Sequence, residues 1–315
     1  MYNIYNLHTL YIINMDIRHI RYFSAVAEEK SFSKAAKKLG INQPPLSMQI
    51  KDLEKEIGVE LFHRSIHGAE LTAAGQTFLK EISPLQQLLH TAITRTQLVG
   101  NGELGELRLG YTGTCILNPL IPQAINLFQQ KYPHVILHLK EANSLLLFES
   151  LLKQEIDLAI VRIPEHRPFN ITIQHLLDED LVAVLSENYP CNEPSIDLIC
   201  LKNEAFISSP YQVSPGLHDS ILKACRFSGF EPNLKQNAPQ IVSILSLISA
   251  GLGVSLVPAS TQQLKINGIK YRKLNHNNVS TSIGLAYIQD HHCQTAINFS
   301  SVLHTLMHQN VFNKV

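Results

Sequence analysis

The sequence predicts an α/β chain in three parts: a small helical head, one long helix, and a larger region of alternating strands and helices. Three observations predict it. Apolar residues recur at three- and four-residue steps from Ile17 to Ile57. A sparser four-three repeat then runs from Phe78 to Val99. From Glu106 onward, short extended runs alternate with amphipathic ones. The chain has 315 residues, 45% of them hydrophobic and 17% charged, too many for one small core and too apolar for disorder throughout. No apolar run reaches the roughly 18 residues that a membrane span needs. Lys+Arg and Asp+Glu number 26 each, which excludes a diffuse polybasic binder but not one small basic module. Five cysteines (115, 191, 200, 225 and 293) show no paired spacing, so free thiols in a reducing cytoplasm are expected.

The segment from Met1 to Asn14 contains no charge and lacks the basic start and small-residue cleavage site of a secretory signal. The charged, periodic stretch beginning at Met15 reads as the start of the fold. Residues 1–14 are therefore expected to lie outside it, with Met15 as the translational start.

Ile17, Ile20, Phe23 and Ala27 define one buried face of a first helix. Ser31 can cap a second helix, Phe32 to Leu39, which Gly40 ends. Asn42 or Gln43 opens a third, with Pro44 and Pro45 in its first turn, where proline is tolerated. It buries Leu46, Ile50, Leu53 and Ile57, and Gly58 stops it. At 100° per residue, Pro44, Ser47, Met48, Lys51 and Lys55 face outward. Two short helices joined by a tight glycine-containing turn form a helix-turn-helix, whose second helix enters a DNA major groove by its N-terminal residues. That helix end is also expected to offer N–H groups to a phosphate. The stretch VELFHRSIHGAELT reads as two short strands around a polar loop, a wing with Arg64 placed to meet phosphate.

Residues 15–73 carry 9 Lys+Arg against 8 Asp+Glu, so net charge alone supports DNA weakly. Placement supports it better: Lys34, Lys37, Lys38, Lys51 and Arg64 cluster around the turn. A three-helix packing domain with a solvated outer face is the alternative on periodicity alone.

Thr72 opens a long helix to about Val99 with apolar residues at 78, 82, 85, 89, 92 and 99 and Thr96 in the remaining slot. Steps of four and three make a heptad seam, narrower than the stripe of a helix on a globular core, so a second chain is expected on it. Pro84 interrupts one hydrogen bond of this helix. Gly100 to Gly105 matches G-x-G-x-x-G, but a helix precedes and a strand follows, the reverse of a dinucleotide site. It reads as a flexible hinge.

Beyond Glu106 the predicted strands are 107–111, 135–140, 157–161, 181–185 and 205–207, with helices at 119–130, 145–153, 220–227 and 241–250. Such alternation predicts parallel α/β units in two subdomains, with a ligand crevice at the strand carboxyl ends. Thr114 and Cys115 follow the first strand, Asn143 and Ser144 the second, and Arg162 the third. Hydroxyls, helix N-termini and a guanidinium suit a carboxylate. Ser209, Pro210 and Tyr211 are expected to line the opposite subdomain. Enzyme chemistry is poorly supported, since no G-x-S-x-G elbow occurs. His134 and His138 stand about 13 Å apart along a strand, too far for one metal ion. His291-His292-Cys293 has no partner at ligand spacing.

The ungapped stretch RYFSAVAEEKSFSKAAKKLGINQPPLSMQIKDLEKEIGVELFHR, followed by LTAAG, resembles the N-terminus of the LysR-type transcriptional regulators. The likeness is densest at Ser33-Lys34-Ala35-Ala36, Gln43-Pro44-Pro45-Leu46-Ser47 and Leu61-Phe62-x-Arg64. It looks most like the branch that senses aromatic acids and their ring-cleavage products. The resemblance implies DNA contact by Ser33, Lys34, Gln43, Pro44, Pro45, Ser47, Met48, Lys51 and Arg64. It places Thr114 and Ser144 where aromatic-acid-sensing relatives contact effector. It further implies a winged helix-turn-helix over 15–73, a dimerising linker helix and hinge over 74–105, and a periplasmic-binding-protein-like effector domain over 106–315. The two effector subdomains would span about 106–178 plus 283–315, and 179–282. Expected partners are duplex DNA, a small organic acid, further copies of the chain in a dimer or tetramer, and RNA polymerase. No cofactor, metal or membrane is expected. Met48 departs from relatives that carry Arg there; Met cannot grip guanine but can pack on a thymine methyl. A sensor whose helical head binds protein rather than DNA is the rival reading.

Overall fold

The computed structural model describes residues 15–65, 68–275, 280–289 and 293–312. The readings of residues 1–14 and of His291 and His292 fall outside them. Contacts divide the chain after Thr96 into two compact units.

The first unit begins with α1 (Ile17–Glu29), α2 (Phe32–Leu39) and α3 (Gln43–Ile57). Asp16 caps α1 through the Arg18 and His19 amides, and Ser31 Oγ accepts the Lys34 amide at the start of α2. Gly40 and Gly58 close α2 and α3 in the left-handed conformation. A hairpin follows, β1 (Phe62–Ser65) antiparallel to β2 (Gly68–Leu71), and then the long helix α4 (Ala73–Gly100). The core is aromatic. Phe23 meets Phe62 at 5.1 Å and Phe78 at 5.0 Å between ring centroids, and Phe32 meets Phe62 at 5.8 Å. Each tilted or edge-on pair adds about 0.5–1.5 kcal/mol beyond its area burial.

That core revises the reading of the long helix. Phe78 and Ile82, the first two seam positions, pack into it and are committed to their own unit. The apolar side chains left exposed lie further along: Leu85, Leu88, Leu89, Ile93 and Val99. The helix continues through Pro84.

The glycine-rich turn after α4 is closed by hydrogen bonds. The Glu103 amide donates to Leu98 O at 2.8 Å and the Gly102 amide to Val99 O at 3.0 Å, the paired bonds of a Schellman cap. Asn298 Nδ2 then donates to the carbonyls of Asn101 and Gly102 at 2.9 and 3.1 Å. The turn is bonded on both sides.

The second unit contains β3 (Leu104–Tyr111), α5 (Leu120–Lys131), β4 (His134–Glu141), α6 (Ser144–Leu152), β5 (Leu158–Arg162) and the 15-residue β6 (Thr172–Ser186). There follow β7 (Ser195–Ile196), β8 (Ala205–Ser208), α7 (Pro215–Phe227), β9 (Asn233–Asn237), α8 (Ile241–Ser249), β10 (Ser255–Pro258), β11 (Ile269–Leu274), β12 (Ser280–Tyr287) and α9 (Gln294–Phe312). One eight-stranded sheet runs β4-β3-β5-β12-β6-β11-β7, with β10 also on β6. β3, β4 and β5 are parallel, as expected. The sheet as a whole is mixed, which corrects the all-parallel expectation: β12 lies antiparallel to β5 and β6, and β10 and β11 antiparallel to β6. The physical reason is visible along β6. Its first part mixes buried residues with exposed ones such as His175, Asp178 and Asp180, as a strand with one wet face does, whereas all five residues of β5 are buried.

β6 joins two cores. Residues 172–180 pair with β12, and residues 181–186 pair with β10 and β11. On the first side Phe128 of α5 packs edge-on against Phe299 of α9, 5.4 Å between centroids, above Leu107, Leu109 and Ile160. On the second, Phe206, Leu217, Ile221 and Leu256 form the centre.

Gly102 has φ +66, and an added Cβ would stand 2.7 Å from the Gln294 carbonyl carbon, whereas one at Gly100 meets nothing within 4 Å. Gly102→Ala is expected to lower stability by at least about 1 kcal/mol while Gly100→Ala does not, read as urea midpoints.

Candidate functional site

The exposed surface of the first unit is built around the start of α3. Gln43, Pro44, Pro45, Met48 and Lys51 are exposed and Ser47 half-buried, opposite the buried stripe of Leu46, Ile50 and Leu53. Ser33 and Lys34 are exposed in the first turn of α2. Met48 is 58% exposed, an apolar side chain with no place in its own core. Pro44 and Pro45 lack N–H groups, so two donors of the first turn of α3 are missing and its phosphate-binding capacity is smaller than the helix start alone implies.

The basic cluster is thinner than its sequence positions suggest. Lys38 is paired with Glu28 and Glu29 at 2.9 and 3.1 Å. Arg64 does not extend as a free phosphate contact. Its guanidinium bonds Glu54 at 3.0 Å and Ser47 Oγ at 3.1 Å and lies 4.9 Å above the Phe32 ring. Glu54 Oε1 also accepts the Leu61 and Phe62 amides at 2.9 and 3.1 Å. One carboxylate thus ties the hairpin to α3, and Arg64 is a member of that tether. Glu54 stands seven residues before Leu61, a spacing that the sequence alone does not mark as a contact. Lys34, Lys37 and Lys51 have no ion-pair partner among the described residues.

In the second unit, a cleft of about 550 Å³ lies where segments from either side of β6 face each other. On one side it is lined by the turn Thr112-Gly113-Thr114 after β3 and by Glu141-Ala142-Asn143 at the end of β4. Ser209, Val213 and Ser214 before α7, and the first residues of α8, line the other. Three helices begin at its wall. Asn143 caps α6, its Oδ1 accepting the Leu146 amide at 2.9 Å. No side-chain bond caps α7 or α8, so the α8 first-turn amides remain available as donors. Thr112 Oγ1 is buried beside the Cys115 thiol, and Ser144 Oγ is buried without a hydrogen-bond partner among the described residues.

Of the residues expected here, Thr114 and Asn143 line the cleft. Ser144 is fully buried behind it, as the first residue of α6. Cys115 is also fully buried, and burial pushes its thiol pKa up, away from reactivity. Pro210 and Tyr211 do not line the cleft; their neighbours Ser209, Val213 and Ser214 do, and Tyr211 packs against the His218 ring.

Arg162 is corrected most. It is fully buried, and Nη2 bonds Glu179 Oε2 at 2.7 Å and the Thr114 carbonyl at 3.1 Å. Glu179 Oε1 accepts the Ser260 amide at 2.7 Å. β5 is an inner strand of the sheet, so its last side chain enters the protein rather than the crevice. The cleft lining is therefore without a guanidinium among the described residues. Glu141 and the α8 N-terminus are the lining features that sequence reading missed. The Pro239-Gln240 pair before an apolar run did mark a helix start, but not one that faces a ligand.

Residues 17–76 match the bacterial regulatory helix-turn-helix protein, lysR family, and residues 100–299 match the LysR substrate binding domain. The chain belongs to the LysR family: it is a DNA-binding transcriptional regulator with an effector-binding domain, and not an enzyme. It is 34% identical to the HTH-type transcriptional regulator BudR of Raoultella terrigena, over 90% of this chain and 99% of that one. It is 34% identical to AlsR of Bacillus subtilis (strain 168), over 88% and 92%. Its structure resembles CbnR, a LysR family transcriptional regulator, with TM-score 0.75 and 27% identity over 92% of this chain and 100% of that one. Full-length CbnR complexed with target DNA matches with TM-score 0.71 and 26% identity, over 93% and 100%.

Arg162→Met is expected to destabilise the effector unit by roughly 3–5 kcal/mol, because Glu179 stays buried without its partner. Adding Glu179→Met to that variant should restore most of the loss. Chemical denaturation of the four proteins of this double-mutant cycle measures it.

Proposed function

We propose that a small organic acid binds the cleft and alters how the chain binds or bends promoter DNA. The observation that carries this reading is the cleft itself, a ligand-sized space whose walls come from both sides of β6 and present amide and hydroxyl donors. Because its walls belong to two cores, a ligand that touches both favours one relative arrangement of them. Such a ligand shifts the regulator only by its unequal affinity for the two arrangements. DNA would be read by the exposed start of α3, with Met48 favouring a thymine methyl over guanine. The relative solved with its target DNA supports a duplex as partner.

The exposed row from Leu85 to Val99 supports pairing of α4 with a second copy, and the family resemblance extends this to antiparallel dimers and tetramers. RNA polymerase is the further partner of such a regulator. No helix among the described residues is long and apolar enough to cross a membrane, which agrees with the cytoplasmic site that DNA binding requires. Aromatic-catabolism acids are the first class to examine, supported by the resemblance of the head to that branch and by a cleft wide enough for a ring.

The experiment combines thermal shift against benzoate-, muconate- and hydroxycinnamate-type acids with DNA binding over a salt series. Stabilisation by an acid and a steep salt slope on duplex DNA are expected. Thr114→Val should weaken the acid response and leave DNA binding and its slope intact. Salt-independent DNA binding would favour the rival, a sensor whose head binds protein; unchanged DNA affinity and bending at saturating acid would refute the allosteric reading.

A further inference from the structure

The effector reading leaves one lining group unexplained. Glu141 is the last residue of β4, in register with Tyr111 of β3, and its side chain lies across the turn that follows β3. Its Oε1 stands 2.7 Å from where a Cβ on Gly113 would be, so the carboxylate sits over that glycine at the cleft wall. It has no ion-pair partner among the described residues; the adjacent Lys140 turns instead to Glu155 and Ser150, at 3.2 and 2.8 Å. None of the described residues lining the cleft is Lys, Arg, His or Asp, so Glu141 is the one charged side chain among them.

The opposite wall has the reverse character. There the uncapped first turn of α8 presents amide donors and the positive end of a helix dipole. Thr112, on the same wall as Glu141, keeps its hydroxyl turned inward, so the Glu141 carboxylate is the polar group which that part of the wall offers a ligand. A plain carboxylate suits the α8 amides but leaves Glu141 facing an apolar body or a second negative charge. A purely basic ligand suits Glu141 and leaves the amides empty. A molecule with an acid at one end and a hydrogen-bond donor elsewhere satisfies both walls.

Resting on the organic-acid reading above, we propose that Glu141 selects effectors that are small carboxylic acids also bearing a hydroxyl or amine donor. The donor bonds the Glu141 carboxylate while the acid takes the α8 amides. Glu141 is a specificity residue in this scheme, because it discriminates among acids rather than holding the acid group.

The test uses the full chain and two size-matched series: propionate, lactate and alanine, and benzoate, 3-hydroxybenzoate and 3-aminobenzoate. Apparent affinities come from thermal shift against concentration. In the series that binds, the donor-bearing acid should bind at least about tenfold more tightly than the plain one, the usual effect of a hydrogen bond to a charged group. Glu141→Ala should abolish that preference and melt like the wild type without ligand, since the side chain is exposed and unpaired. Glu141→Gln should keep the preference for hydroxyl and lose that for amine. A plain acid that binds as tightly as its partners, or a preference that survives Glu141→Ala, would overturn the inference and leave the organic-acid reading standing. Silence of every acid would overturn both. Loss of ligand-free stability in Glu141→Ala, with the preference unchanged, would show the carboxylate serving the α6 terminus instead.

Discussion

Arg162 and Glu179 bring opposite charges within 2.7 Å of each other, at 0% and 6% side-chain exposure, where water cannot screen them. Removing two ions from water costs several kcal/mol each, and close contact together with further hydrogen bonds offsets that, although Arg162 Nη1 stays buried without a partner among the described residues. The offset dictates local architecture. The guanidinium holds the Thr114 carbonyl, and the second carboxylate oxygen holds the Ser260 amide. The end of β5, the turn after β3, the middle of β6 and the turn after β10 are thus fixed to one point. The cleft opens directly beside it, so its Thr112–Thr114 wall inherits its position from a pair of charges that lie outside its lining.

A similar economy operates in the head. Glu54 accepts two amides of the hairpin and an Arg64 nitrogen, so one carboxylate sets the angle between wing and α3. The exposed start of α3 is then presented by a rigid frame. Its two prolines stiffen it at the expense of amide donors, and leave the side chains of Gln43, Met48 and Lys51 as what its outer face presents.

Much of this was legible in the residues. The three head helices, their Ser31 cap and their Gly40 and Gly58 ends follow from periodicity and capping chemistry, which act over three or four residues. β3 to β5 and the helices between them follow for the same reason. What local pattern does not encode is pairing direction and depth. The first part of β6 is half-wet and polar, so it has neither the apolar run of an inner strand nor a strand of its kind beside it in sequence. Arg162 looked like a crevice residue because it ends a strand; that the strand lies inside the sheet is a property of partners more than a hundred residues away, Ile283 among them. Glu141 and the α8 amides were missed for a related reason. Each is ordinary by itself, and only the fold sets them on facing walls.

The central claim is that one acid engages both walls of the cleft. Amide hydrogen exchange tests it directly, on the full chain with and without the acid that stabilises it most. The account predicts that protection rises together in residues 112–117 and in residues 239–245, since the bound acid closes donors on both. Protection confined to one of these segments, or appearing only elsewhere in the effector unit, would contradict it.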